Sequence, residues 1–176
     1  MIDQELLVRS VTEAATEVFS MMLDMEIQYT GLTTDSVPAD MGLIALVGIT
    51  GDWGGSGVFC CPPSLASLIC SRMLGSEPDP SNAINDEVLD VVAEMTNMMI
   101  GNIKNGLEAA TGPLAISVPT VIHGRNFHFR NASGLQGAAL SFTAEGENFE
   151  VRIALAPVAQ QPSARSRIPI LGLAHV

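Results

Sequence analysis

Residues 90–102 read "DVVAEMTNMMIGN", and the reading of this stretch decides the rest. Taken as a helix, it places Asp90, Glu94, Asn97 and Gly101 at successive spacings of four, three and four. At about 100° per residue these four positions fall on one narrow stripe. The remaining positions, Val91, Val92, Met95, Met98, Met99 and Ile100, with Ile103 just beyond, are apolar. A solvated helix face normally mixes Lys, Arg and Glu, yet this stripe meets no positive charge until Lys104. Asn is unfavourable in mid-helix because its side chain competes for backbone hydrogen bonds. Gly101 costs about 1 kcal/mol relative to Ala. Two such residues together call for a reason: close packing of another backbone on Gly101, or space kept open beside Asn97 for a partner or substrate. A plain water-facing row of acids is the simplest account of Asp90 and Glu94 alone.

Working outward, the stretch belongs to a long helix of roughly 85–110. Asn85 or Asp86 serves as N-cap, and Gly112-Pro113 closes it. Residues 4–24 read as a second amphipathic helix, with Leu7, Val11, Ala14, Ala15, Val18 and Met22 at helical spacing. "PPSLASLICSRMLG" reads as a third, with proline at its start and Gly75 beyond its end. Strands are expected over 26–35, 41–50 and 55–61, then over 114–122, 126–130, 135–143 and 147–156. Glycine-rich residues 47–58 suggest a hairpin with close backbone approach, and "EGEN" (145–148) a tight turn. Residues 157–176 carry prolines, a basic spot and no periodicity. They read as a tail, mobile or docked, on a domain spanning 1–156.

The two long helices also resemble each other. "TEAATEVFSMML" (12–23) lies over "LDVVAEMTNMMI" (89–100). Glu13 then matches Asp90, Glu17 matches Glu94, and Met21-Met22 match Met98-Met99, while Ser20 stands at the place of Asn97. Strand-like segments follow both helices. A duplicated helix-plus-strands unit with a pseudo-two-fold axis accounts for this. It is too short to be a solenoid array.

Composition narrows the function. The chain has 176 residues, 47% hydrophobic and 15% charged, with a net charge of −11. That is one domain with ample core. The acidity argues against a nucleic-acid binder and against docking on an anionic membrane. The start "MIDQELLVRS" has no basic n-region, and no apolar run reaches the ~20 residues of a membrane span, so a cytoplasmic location is expected. Cys60, Cys61 and Cys70 form no disulfide framework and lack a completed ligand set, so they read as buried small hydrophobes.

Chemically, an amide is a poor base near neutral pH but a good positioner of water, accepting and donating at once. Orientation of that kind matters most in phosphoryl hydrolysis. Glu94, one turn earlier, is suited to a lysine on a partner. The chain lacks a P-loop and an obvious metal set, so a partner would have to complete any phosphoryl site. Asp90 and Glu94 alternatively make an i,i+4 carboxylate pair for acid–base hydrolysis, which leaves Asn97 and Gly101 unexplained. His123 and His128 could share a metal but have no third ligand and read as surface residues. Trp53 is an interface anchor or a hairpin core residue. "NAS" (131–133) is a glycosylation sequon that a cytoplasmic chain would not use.

The D-x3-E-x2-N pattern of Asp90, Glu94 and Asn97, followed by "MMIGN" and by Pro119 about one strand later, resembles the CheC/CheX/FliY family of chemotaxis phosphatases. "ITGDWGGSGVFCC" followed by "LASLICSRMLG" and the duplicated layout are similar to it as well. A single intact motif is more like CheX than the two-site CheC. The resemblance covers about residues 5–156 and implies an α/β fold, CheC-like, with long helices packed on one largely antiparallel sheet. It implies hydrolysis of the aspartyl phosphate of a CheY-like receiver domain, a partner that brings its own Mg2+. Asn97 would hold the attacking water, Glu94 would engage the receiver's lysine, and Asp90 and Gly101 would support the contact. It also implies a homodimer joined edge to edge through the sheets. A receiver-binding scaffold without catalysis is the alternative. The tail from about residue 157 is not expected in the family.

Overall fold

The computed structural model describes residues 1–33, 42–125 and 134–158. The expected strand at 126–130, His128, the sequon at 131–133 and nearly all of the expected tail lie outside these residues. In chain order the elements are α1 (Gln4–Leu23), β1 (Gln28–Leu32), β2 (Leu43–Gly51), β3 (Trp53–Cys61), α2 (Pro63–Leu74), α3 (Asp86–Thr111), β4 (Leu114–Ile116), β5 (Thr120–His123), β6 (Gln136–Ala144) and β7 (Glu147–Pro157).

The local signals form as read. Asn85 is the N-cap of α3, its side-chain oxygen accepting from the Val88 N–H at 2.9 Å. Gly75 ends α2 in the left-handed region at φ 65°. The "EGEN" turn has Glu145 and Gly146 at φ 49° and 82°, the two positive angles a two-residue type I′ hairpin requires. Strand β2 ends one residue later than expected and β3 begins two residues earlier, leaving only Asp52 between them. The glycines therefore belong to the ladder. At Gly57 a Cβ would stand 2.5 Å from Ile100 Cδ1, so its absence lets α3 press onto the sheet.

Every strand pairing is antiparallel, in the order β1-β6-β7-β3-β2-β4, with β5 beside β4 on β2. This order shows the duplication. Exchanging β1 for β4–β5, β2 for β6 and β3 for β7 reproduces the same order read backwards. The central β3–β7 pair lies on the pseudo-two-fold axis. The helical match is also visible in burial. Ala14, Ala15, Val18, Phe19 and Leu23 are buried at the positions of Val91, Val92, Met95, Thr96 and Ile100. Met22 departs from the expectation: it is 40% exposed, and Phe19 and Leu23 carry the inner face instead.

All three helices bury their apolar faces in one cluster against one side of the sheet. Phe149 stacks between Phe19 (centroids 4.6 Å) and Phe142 (5.2 Å), which ties α1 to the central strands. Trp53 is in this cluster, so it is a core residue. The sheet's other side carries a smaller cluster of Ile44, Val58 and Cys60. Near it is a buried ion pair, Arg152 Nη2 to Glu150 Oε2 at 2.6 Å. Burial pushes the Cys60 thiol up to about 12, and the Cys61 thiol is raised by the same cause. Both stay protonated, as small hydrophobes should.

Candidate functional site

The stripe forms as the spacing requires. Asp90, Glu94, Asn97 and Gly101 all belong to α3, whose opposite face, including Val92, Met95, Met99 and Ile103, is buried. Asp90 and Glu94 are exposed, and Asn97 and Gly101 are half-buried. Among the described residues neither carboxylate is in an ion pair, and the Asn97 amide makes no intramolecular hydrogen bond. A side chain with two donors and an accepting oxygen is thus presented without an internal partner.

Gly101 discriminates between the two reasons offered for it. Among the described residues a Cβ there would meet only Ile116 Cδ1, at 3.8 Å, an ordinary contact, and no backbone presses on it. Packing among these residues does not require glycine. What its absent side chain leaves is open surface one turn beyond Asn97.

The charge environment is one-sided. Lys104, the first cation along α3 after the stripe, is held elsewhere. Its Nζ donates to Glu108 Oε1 at 2.6 Å and to the Leu114 carbonyl at 3.2 Å. Lys104's hydrogen bond, and then the Leu114 N–H, hold the Glu108 carboxyl below its ordinary range. Lys104 therefore closes the end of α3 onto β4 and does not neutralise Asp90 or Glu94. The stripe is an acidic, amide-bearing ridge suited to a cationic pocket on a partner.

The pseudo-equivalent ridge on α1 differs. Glu13, Glu17 and Ser20 are exposed, but Glu17 Oε2 accepts a hydrogen bond from Asn102 Nδ2 at 3.2 Å. Asn102 lies off the stripe and has no sequence signal that would have singled it out. At the position matching Gly101, Asp24 is already the C-cap of α1, at φ 50°. Nothing gathers on the alternatives. His123 is exposed on β5 opposite Leu43, and among the described residues no three His, Cys, Asp or Glu side chains converge on one point.

Comparisons with known proteins give the family. The profile of the family described as chemotaxis phosphatase CheX matches residues 43–143, which contain the whole stripe. The CheY-P phosphatase CheX of Thermotoga maritima is 24% identical over 123 residues, covering 70% of this chain and 77% of that protein. A CheC-like superfamily protein from Shewanella sp. PV-4 superposes with a TM-score of 0.76 at 25% identity, over 88% of this chain and 99% of its own. A chain of the CheX–CheY–BeF3–Mg2+ complex from Borrelia burgdorferi does so with a TM-score of 0.68 at 26% identity, over 88% of this chain and 99% of its own. With more than half its length matched by the profile, the chain belongs to the CheX family of chemotaxis phosphatases.

Proposed function

We propose that this protein hydrolyses the aspartyl phosphate of a CheY-like receiver domain. The observation that carries the proposal is the Asn97 amide, presented on the outer ridge of α3 with no hydrogen-bond partner among the described residues and with Glu94 one turn away. Asn97 orients a water in line with the phosphorus. Water attacks, the bond from phosphorus to the aspartate oxygen breaks, and inorganic phosphate leaves with the carboxylate restored. Such a reaction needs orientation and charge stabilisation more than a strong base. Glu94 engages a lysine of the receiver. Asp90 extends the acidic ridge, and Gly101 leaves room for the partner's surface.

The Mg2+ belongs to the receiver in this scheme. The Borrelia burgdorferi complex, which contains CheY, BeF3 and Mg2+ together with CheX, supports that assignment. The protein acts in the cytoplasm. Residues 1–156 form the working domain, with β7 running on to Pro157, and the chain beyond is an appendage. Two copies join edge to edge through β1, an edge strand with Tyr29 and Leu32 42% and 58% exposed, whose free backbone groups favour strand addition. This leaves the β4–β5 edge beside α3 free. The mass in solution, measured by light scattering, tests the pairing, and a monomer at micromolar concentration would rule it out.

The functional test is phosphate release from a phosphorylated receiver. Catalysis shortens the lifetime of the acyl phosphate in proportion to the protein added. A receiver-binding scaffold would leave that lifetime unchanged or lengthen it, and either outcome would overturn the hydrolytic reading.

A further inference from the structure

Strands β4 and β5 are one edge strand interrupted by a bulge. Ile116 pairs with Ile49 and Thr120 with Leu46. Ser117, Val118 and Pro119 therefore stand opposite only Val47 and Gly48. A bulge leaves one residue unpaired and re-aims its side chain. This one is pinned by Ser117. The Ser117 N–H donates to the Gly48 carbonyl at 2.9 Å. The Ser117 hydroxyl accepts from the Gly48 N–H at 2.9 Å and donates to the Val118 carbonyl at 2.9 Å. A Cβ on Gly48 would lie only 3.3 Å from that hydroxyl, so glycine lets the clamp close. At the tip, Val118 is 84% exposed.

The edge strand also runs back along α3. Lys104 Nζ reaches the Leu114 carbonyl at 3.2 Å. Two residues further along the strand, Ile116 Cδ1 lies 3.8 Å from the place of a Cβ on Gly101. A strand advances about 3.3 Å per residue and a helix about 1.5 Å, so two more strand residues match about four helical ones. The segment beyond Ile116 therefore heads along α3 from Gly101 in the direction of Asn97. A lone exposed valine is ordinary. This one is unpaired in the ladder, its carbonyl is held by a neighbouring hydroxyl, and it is on the edge segment that runs toward the amide.

We propose that Val118 is an apolar docking point for the receiver domain, seated beside its phosphorylated carboxylate, and that Ser117 is the positioning residue that holds it there. This rests on the function proposed above. The acidic ridge supplies charge recognition, and Val118 supplies a desolvated contact that adds affinity for the receiver without touching the reacting atoms.

The test uses the Borrelia burgdorferi CheY, loaded with BeF3 and Mg2+ for affinity and phosphorylated for turnover. Val118→Ser is expected to raise Kd and KM about tenfold, the scale of one lost valine contact. Its kcat should stay within about two-fold of wild type. Ser117→Ala should move KM in the same direction by a smaller factor, and Ser117→Thr, which keeps the hydroxyl, should restore it. A general loosening of the fold would instead lower the thermal midpoint without this split between KM and kcat. Should Ser117→Ala fail to fold, Val118→Ser still decides, because its side chain is on the surface. Wild-type Kd and KM in Val118→Ser, or a loss confined to kcat, would overturn the proposal. If Asn97→Ala still loses turnover in that case, the hydrolytic reading stands alone. A wild-type protein that neither binds nor hydrolyses removes both.

Discussion

The two halves of the molecule share a shell and differ in what it holds. In each, a long helix buries matching positions against the sheet. Six residues beyond each C-cap, counting from Asp24 to Thr30 and from Gly112 to Val118, the following edge strand bulges. The bulge is thus a property of the duplicated unit. Its filling is not, since Tyr29-Thr30-Gly31 occupies the first and Ser117-Val118-Pro119 the second. The helices diverge on their outer ridges. α1 presents Ser20, ties Glu17 to Asn102 and ends at Asp24. α3 presents Asn97, leaves Glu94 without an ion pair and continues through Gly101 to 26 residues against 20. The difference teaches that the apolar face of a helix can preserve a duplicated fold while its outward residues diverge, which is where the proposed function separates the two copies.

The largest break in this asymmetry is expected from Asn97→Ala. Losing a positioned group in the transition state costs on the order of 100-fold or more in turnover. The residue is only half-buried and has no internal hydrogen bond, so the circular dichroism spectrum and thermal midpoint should hold. A folded variant with near wild-type phosphate release would eliminate the water-positioning role. Next in size is Glu94→Gln. Removing the charge opposite a receiver lysine should weaken binding about tenfold, and added salt should weaken the wild-type complex in the same direction. Unchanged affinity together with indifference to salt would show that Glu94 is not the docking acid.

A smaller effect, of opposite sign in stability and activity, is expected from Gly101→Ala. Alanine should stabilise α3 by about 1 kcal/mol, because the added methyl meets only Ile116 Cδ1 at 3.8 Å. That is a rise of roughly 2–4 °C in thermal midpoint. The same methyl crowds the partner's approach, so kcat/KM should fall a few-fold. A more stable variant with undiminished kcat/KM would mean that the glycine is not there for access.

Much of this asymmetry is legible in the sequence because helices write their faces at a fixed period. The stripe, the helix start at Asn85 or Asp86, the repeat between 12–23 and 89–100, and the absent amide at Ser20 all follow from spacing and residue type. The misread Met22 shows the limit of periodicity near a helix end. The left-handed cap at Asp24 redirects the chain there, and Leu23 takes the inner position. What spacing does not carry is pairing between distant strands. The bulge exists only in the registers of β4 and β5 against β2, and the clamp needs Gly48, 69 residues from Ser117. Glu150 and Arg152 carry no sequence signal for a related reason. Both are buried and paired with each other on the sheet's second side, which only the assembled sheet creates.

The smallest expected effect is the sharpest statement about the comparison. Glu17→Ala should leave turnover within about two-fold of wild type, because Glu17 is on the half that lacks the amide. It does accept from Asn102 at 3.2 Å, so the substitution removes one exposed link between α1 and α3. Exposed polar links of this kind are worth little, and stability should fall by less than about 1 kcal/mol. Pairing Ser20→Asn with Asn97→Ala asks the complementary question. The introduced amide would stand on α1 as Asn97 stands on α3, but with Glu17 held by Asn102 and with Asp24 capping the helix where Gly101 leaves space. Phosphate release should therefore stay at the level of Asn97→Ala alone. Adding Asn102→Ala frees Glu17, and a partial return of activity would identify that hydrogen bond as one of the restraints. Full recovery in the double variant would show that a single residue separates the halves. A large loss in Glu17→Ala, with the fold intact, would place the working ridge on α1 and overturn the assignment to Asn97.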